Sequence, residues 1–316
     1  MSNKANLIIE EVNKVIVGKK KVIRKVWMTI LSGGHILLED VPGVGKTTMA
    51  LAFSRALGLS YKRIQFTPDV MPSDVVGFYY YDKERGKFSY RDGAVMTNLL
   101  LADEINRTSS RTQSALLEVM EEGQVTVDGV TRKVPEPFLV IATQNPVGSS
   151  GTQMLPESQI DRFMVMLSLG YPSVREEMIL MSQRKTSDPL EQVKEVITQE
   201  ELLSMRREVD QIAVSPLIYQ YIALLSEATR KHEMVRLGVS PRGSLALCRM
   251  SKACAYLAGR EYVIPEDVQE VVKDVFRHRL VLKSRVKLSE RNTDRIIGEI
   301  CARVKVPDHR EDGNGR

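Results

Sequence analysis

Short strand-like runs alternate with stretches of helical periodicity over the first 170 residues. Strands are predicted at HILLE (35–39), YKRIQF (61–66), NLLLA (98–102) and FLVIA (138–142). Helices are predicted at 47–57 and at about 109–122, and an amphipathic helical region covers 6–32 with a break near Val17-Gly18. Strands that are apolar throughout are typical of parallel sheets covered on both faces, so the pattern predicts an α/β fold.

Two segments predict β-hairpins inserted into this core. The first lies near 72–94, where Phe78–Tyr81 and Lys87–Tyr90 are joined by DKERG. The second lies near 124–134, where QVTVDGVTRKV alternates around Asp128-Gly129, a strong turn signal. The tyrosines at 79–81 suit two interpretations: they could grip a polypeptide, or they could cover a small core inside the insert.

The pattern changes after Tyr171-Pro172, where strand-like runs disappear. Apolar positions then fall on helical faces, as at Leu202, Met205, Val209 and Ile212. We therefore expect an αβα core in residues 1–185, with both hairpins, and a small all-helical domain in residues 186–316. Its polar tail, VPDHREDGNGR, is expected to be disordered.

The stretch LLEDVPGVGKTTMA (37–50) resembles a phosphate-binding loop, although Asp40 occupies the position of its first glycine. Such a loop surrounds an anion with backbone N–H groups at a helix N-terminus. The expected nucleotide contacts are Pro42, Gly43, Val44, Gly45, Lys46, Thr47 and Thr48. The ammonium group of Lys46 would reach the β- and γ-phosphates of ATP, and the Thr47 hydroxyl would hold Mg²⁺. A plain strand–turn–helix does not explain GKTT at the first helical turn after a buried strand.

Polar residues end the next two predicted apolar strands. Asp103 follows NLLLA and can orient the Mg²⁺ shell, and Glu104 beside it can polarise a water for attack on the γ-phosphorus. Asn145 follows FLVIA and could align that water or contact the γ-phosphate. Taken alone, the acidic pair could be a solvated loop start, and Asn145 could form an Asn-Pro turn.

With these motifs in order, the chain resembles the AAA+ ATPases and, among them, the MoxR family. The resemblance covers about residues 6–283. It rests on VIVGKKKVI (15–23), LLEDVPGVGKTTMA (37–50), RIQFTPDVMPSDVVG (63–77), NLLLADEINR (98–107), TQSALLEVMEEGQVTVDG (112–129), VIATQNP (140–146), LPESQIDRF (155–163) and GVSPRG (238–243).

The resemblance implies further roles. Val17 and Gly18 would contact the adenine side of ATP, Asn145 would be the first sensor, and Arg162 the arginine finger that projects into a neighbouring subunit's site. Arg242 would be the second sensor, which brings the helical lid onto the phosphates. Otherwise, Arg162 would form a surface ion pair with Asp161 or Glu157, and Arg242 would be solvated in a first helical turn, an unfavourable place for a cation. Family membership also implies a homo-oligomeric ring, expected to be a hexamer.

Composition narrows the functional classes only slightly. The hydrophobic fraction of 43% and the charged fraction of 27% are ordinary for a globular protein, and no apolar run approaches a membrane span. The polar start does not have the pattern of a signal peptide, so none is expected. The three cysteines form no CxxC pair, and the four histidines show no zinc spacing. A cytoplasmic protein is expected.

The net charge of +5 permits contact with nucleic acid without requiring it. The densest basic run, KKKVIRK (19–25), has helical apolar spacing, which favours a helix with a solvated basic face over a nucleic-acid site.

The resemblance favours an ATP-driven chaperone for partner proteins, often those with a von Willebrand factor A domain. The alternatives are a helicase-like nucleic-acid motor, the ATPase subunit of a metal chelatase and a transcription activator. A nucleic-acid partner is not expected from this sequence, which shows neither a winged helix nor a basic arm.

Overall fold

The computed structural model describes residues 2–41, 43–145, 155–183, 189–283 and 292–307. Pro42, predicted to contact nucleotide, and most of the polar tail lie outside these ranges. The elements up to residue 170 are α1 (Ser2–Asn13), α2 (Lys20–Leu31), β1 (Ile36–Glu39), α3 (Lys46–Ala56), β2 (Tyr61–Gln65), α4 (Pro72–Val76), β3 (Gly77–Asp82), β4 (Lys87–Asp92), β5 (Leu99–Asp103), α5 (Ser110–Glu122), β6 (Gln124–Val127), β7 (Val130–Lys133), β8 (Leu139–Gln144), α6 (Glu157–Ile160) and β9 (Val165–Leu167).

The elements after residue 170 are mainly helical. They are α7 (Val174–Gln183), α8 (Gln199–Asp210), α9 (Pro216–Lys231), β10 (Val235–Leu237), α10 (Pro241–Leu257), α11 (Pro265–Phe276), β11 (Val281–Leu282) and α12 (Thr293–Arg303). The short strands β10 and β11 pair antiparallel. The predicted boundary between residues 185 and 186 falls after α7 and stays a prediction.

The central sheet has the strand order β2-β5-β8-β1-β9, and its neighbouring strands run parallel. Every residue of β5 and β8 is buried. Along β5, Leu99 and Leu101 pack into the apolar cluster that contains α1 to α3, whereas Leu100 and Ala102 pack on the opposite face with α5. Burial on both faces explains the continuous apolar runs and confirms the predicted α/β fold.

The helical part packs directly on the first part of the chain. Buried residues of α8 to α12 belong to the same apolar cluster as α1 to α3. At this contact the Thr29 hydroxyl in α2 lies 3.6 Å from Met250 Sδ in α10. The position of α10 relative to the sheet is therefore fixed by apolar packing through α2.

Both inserted segments form antiparallel hairpins, β3 with β4 and β6 with β7. Arg132 of the second hairpin donates to the Tyr79 hydroxyl of the first, and its guanidinium lies 4.1 Å from the centre of the Tyr90 ring. At the tip of the first hairpin, Tyr81 and Phe88 are 54% and 71% exposed. Of the two interpretations of the tyrosines, the inward one thus describes Tyr79, while Tyr81 packs edge-to-face on Phe88, with ring centres 5.5 Å apart, and stays largely exposed.

Candidate functional site

The loop between β1 and α3 has the backbone of an anion-binding loop. Gly43 and Gly45 have φ angles of +86° and +96°, which residues with a Cβ rarely adopt. Gly45 directly precedes the first residue of α3, so the free N–H groups of that helix face the loop. Lys46 is 8% exposed, and its Nζ donates to the backbone oxygen of Asp40 at 2.9 Å.

Asp40, the departure from the strict loop pattern, has a structural task. Its carboxylate accepts hydrogen bonds from Ser168 Oγ at 2.7 Å, Leu169 N at 2.7 Å and Gly170 N at 3.0 Å. These donors lie directly after β9, where the chain leaves the sheet toward α7. Asp40 therefore ties the start of the phosphate loop to the end of the edge strand.

Most of the residues predicted to form the site line the cleft beside this loop. It is lined by Gly43, Gly45, Lys46, Thr47, Thr48, Arg63, Gln65, Asp103, Glu104 and Asn145. Burial lowers the pKa of Lys46, and the negative charges of Asp40, Asp103 and Glu104 oppose this shift. These residues meet because the carboxyl ends of β1, β5 and β8 lie at one edge of the sheet, the usual ligand position in parallel α/β folds.

Glu104 has a strained backbone conformation, and hydrogen bonds fix both its backbone and its side chain. Its φ of +56° is uncommon for a residue with a side chain, and such outliers cluster at functional sites. Its backbone N–H donates to Thr143 Oγ1 at 2.9 Å, and Thr143 Oγ1 donates to Asp103 Oδ1 at 2.6 Å. Asn145 Nδ2 donates to Glu104 Oε1 at 3.0 Å, so the predicted carboxylate and amide are in direct contact.

Further polar residues of the cleft were not predicted from the sequence. Arg63 pairs with Asp103 at 2.6 Å, and Gln65 Nε2 lies 3.3 Å from Glu104 Oε2. Arg107 donates to Glu104 Oε2 at 2.8 Å, and this bond is the main cause of the lowered pKa of Glu104. The contact of Arg107 could have been inferred from the sequence, because Arg107 lies three residues after Glu104. The contacts of Arg63 and Gln65 could be inferred only once the pairing of β2 with β5 was known.

The residue that precedes the predicted adenine-side pair lies next to the phosphate loop. A Cβ on Gly45 would stand 3.9 Å from Ile16 Cδ1. Gly18 has a φ of +76°, and a Cβ there would overlap the Glu176 carboxylate. A residue with a side chain would therefore be strained at this φ and would have to displace the Glu176 side chain.

Arg162 and Arg242 do not line the cleft in the described ranges. They lie together in a second pocket, here called the arginine pocket, with Glu121, Asp161, Arg249 and Arg279. Arg162 Nε is 3.3 Å from Glu121 Oε2, and Arg242 pairs with Glu121 Oε1. The ion pair considered from the sequence named the wrong acids, because Asp161 pairs with Arg279 and Glu157 with Arg236.

The cleft fits a magnesium ion through its oxygen donors. The Thr47 hydroxyl and the Asp103 carboxylate both line it, and oxygen atoms are the ligands that Mg²⁺ prefers. Mg²⁺ needs few protein ligands, because it keeps waters and binds substrate phosphates. Within the described ranges, no cluster of three or more His, Cys, Asp or Glu side chains could form an all-protein metal site.

Comparisons with known proteins agree with this geometry. The family model described as "ATPase family associated with various cellular activities (AAA)" matches residues 35–165, and the model described as "AAA lid domain" matches residues 227–300. A crystal structure of a protein from Cytophaga hutchinsonii superposes with a TM-score of 0.90 at 38% identity, covering 97% of this chain and 96% of that one. Fold, cleft and family models together define an AAA+ ATPase, an enzyme that hydrolyses ATP.

Two relatives narrow the class. "Chaperone MoxR1" of Mycobacterium tuberculosis is 40% identical over 95% of this chain and 81% of its own length. "Uncharacterized protein YeaC" of Bacillus subtilis is 48% identical over 95% of this chain and 93% of its own length. The chain belongs to the MoxR family, as the sequence motifs predicted.

Proposed function

We propose that the chain is an ATP-driven chaperone that works as a ring of identical subunits, expected to be a hexamer, with each ATP site shared between neighbours. One observation supports this proposal: within one chain, the catalytic cleft and the two arginines that should act on the same ATP lie apart. The cleft with Lys46 and Glu104 lies at the carboxyl edge of the sheet. The arginine pocket lies at the amino edge, since it is lined by His35 just before β1 and Met164 just before β9.

Within one chain, the two sets of groups lie at opposite edges of the sheet. Strand β1 has four residues, and at about 3.3 Å per residue it separates the edges by on the order of 10 Å. A second copy whose arginine pocket faces the cleft would supply both Arg162 and Arg242 to the phosphates. Arginine groups are suited to this task because their planar fork of donors matches phosphate oxygens.

Within the cleft, each side chain has a defined task. Lys46 and the N–H groups of the loop bind the phosphates. Glu104 polarises the attacking water and accepts its proton, and Asn145, which donates to Glu104 Oε1, fixes the direction of that carboxylate. Thr47 and Asp103 would hold Mg²⁺, which when bound neutralises charge developing between the β- and γ-phosphates.

The client is expected to be a protein, often one with a von Willebrand factor A domain, as the family resemblance implies. The name of the mycobacterial relative, a chaperone, supports a remodelling role. The exposed aromatic tip of the first hairpin offers a surface suited to a polypeptide. The cytoplasmic location remains a prediction; across the ranges that the structure covers, no helix combines the length and apolarity needed to span a membrane.

Several of the basic side chains that could contact nucleic acid are engaged within the protein. In the basic run, Arg24 pairs with Glu270 at 3.3 Å and Lys25 with Asp274 at 2.5 Å. Arg132 packs on Tyr79 and Tyr90. The helicase-like and chelatase alternatives are therefore not favoured by any specific contact.

The test uses Glu104→Gln, which is expected to bind ATP without hydrolysing it. The tagged variant is added with ATP to a lysate of the native source, and retained molecules are compared with those retained by Lys46→Ala. ATP-dependent retention of a protein, particularly one with a von Willebrand factor A domain, supports the proposal. Retention of nucleic acid without a protein partner contradicts it.

A further inference from the structure

One carboxylate joins the two arginines of the arginine pocket. Glu121 accepts a hydrogen bond from Arg242 at Oε1 and lies 3.3 Å from Arg162 Nε at Oε2. The side chains come from three separate elements: the last turn of α5, the segment after α6 and the first turn of α10.

We propose that Glu121 is a positioning residue, which holds Arg162 and Arg242 as one anion-binding pair and occupies the place that a phosphate of the neighbouring copy's ATP takes. The inference rests on the proposed function, since it assumes that both arginines act on a neighbour's nucleotide.

Neither arginine has another acidic partner in the described part of the chain. The second carboxylate of the pocket, Asp161, is engaged by Arg279 Nε at 2.7 Å and by Ser240 Oγ at 2.8 Å. Arg249 also lines the pocket, and burial lowers the pKa of the adjoining His35 to about 4, so that this ring is neutral. The pocket thus holds four guanidinium groups against two carboxylates, a balance that suits an additional anion.

A hydrogen bond between Asp161 and Ser240 also fixes the position of Arg162 relative to Arg242. Asp161 precedes Arg162 in the chain, and Ser240 caps the helix that begins with Pro241 and Arg242. Their hydrogen bond therefore joins the backbones that carry the two arginines, while Glu121 joins the side chains. Loss of Glu121 is expected to release the guanidinium groups without moving the backbones.

The contacts of Glu121 are of a kind that a phosphate can replace. Its side chain is 40% exposed, as against 31% for Arg162 and 44% for Arg242. Ion pairs with this much exposure are weak. A triphosphate brings more charge and more acceptor oxygens, which suit bidentate arginine contacts. In the free chain Glu121 would keep two like charges together; in the assembly the phosphate would take over that task.

The test mixes two full-length variants that are each inactive alone. Glu104→Gln supplies intact arginines with a dead cleft, and Arg162→Ala/Arg242→Ala supplies an intact cleft without the arginines. Hydrolysis recovered on mixing measures the shared sites. Glu121→Ala is then added to one partner at a time, with Glu122→Ala as the matched control, because Glu122 is exposed on the same helix and has no ion pair among the described residues.

Glu121→Ala in the arginine-supplying partner is expected to lower the rate recovered at a fixed, sub-saturating concentration of the two partners about tenfold, because two guanidinium groups that Glu121 no longer holds must be ordered when the copies meet. In the cleft-supplying partner it should change the rate little, as should Glu122→Ala in either. Equal losses in both partners, or no loss in the arginine-supplying partner, would overturn the inference. Failure to recover any hydrolysis with the parent pair would instead contradict the shared site itself.

Discussion

The backbone N–H of Leu169 donates to Asp40 Oδ2 at 2.7 Å. This bond joins the residue that replaces the first glycine of the phosphate loop to the chain that leaves the sheet. Asp40 is 5% exposed, and its carboxylate also accepts from Ser168 and Gly170. The substitution that breaks the strict loop pattern therefore anchors the loop against its neighbouring strand.

Restoring the glycine should weaken the protein. Asp40→Gly removes a buried carboxylate and leaves the N–H groups of Leu169 and Gly170 without their acceptor, so the free energy of unfolding should fall by about 3 kcal/mol. Ser168→Ala, which removes one donor only, should cost about 1 kcal/mol. Urea unfolding measures both. Nucleotide binding should persist, because the donors at 43–48 remain; an unchanged unfolding free energy for Asp40→Gly would contradict the anchoring role.

Arg107 should set the pH at which the enzyme loses activity in acid. Its hydrogen bond is the largest influence that lowers the pKa of Glu104, and Glu104 acts as a base only when ionised. In Arg107→Ala the pKa of Glu104 rises, so the acid limb of the pH profile of kcat/KM should move to higher pH. Arg107→Lys, which keeps the charge, should move it less. A lower plateau with an unmoved acid limb would show that Arg107 does not control this ionisation.

The tip of the first hairpin should serve the client rather than the fold. Tyr81→Ser/Phe88→Ser changes side chains that are 54% and 71% exposed, so the unfolding free energy should fall by only about 0.5–1.5 kcal/mol, the contribution of their edge-to-face contact. Basal ATP hydrolysis should stay unchanged. Client retention on the Glu104→Gln background should fall, whereas Tyr219→Ser, at a 53% exposed tyrosine on α9, should leave it intact. Equal retention by both variants would exclude a gripping role for the tip.

The sequence predicted the parts of the site that depend on strand ends. Lys46, Asp103 and Asn145 each follow an apolar strand, and parallel strands bring their carboxyl ends to one edge. Arg63 was missed because its partner is decided by the pairing of β2 with β5, which the local pattern does not contain. Strand β9 was missed because three residues are too few to show a period.

The place of Arg242 could not be predicted either. Its motif fixes a helix start, but the packing of α10 on α2 decides which edge of the sheet that start faces. Glu121 gave no signal at all, since an exposed glutamate near the end of a helix is ordinary. Both follow from tertiary packing and not from spacing along the chain.

The central claim, that each ATP site needs a second copy, is tested most directly by the turnover per protomer as a function of protein concentration. An arginine supplied by a neighbour accelerates phosphoryl transfer by about 10³–10⁵-fold. The rate of ATP hydrolysis per protomer should therefore rise steeply from nanomolar to micromolar protein and stay low throughout for Arg162→Ala. A rate per protomer that stays constant over that range would contradict the shared site.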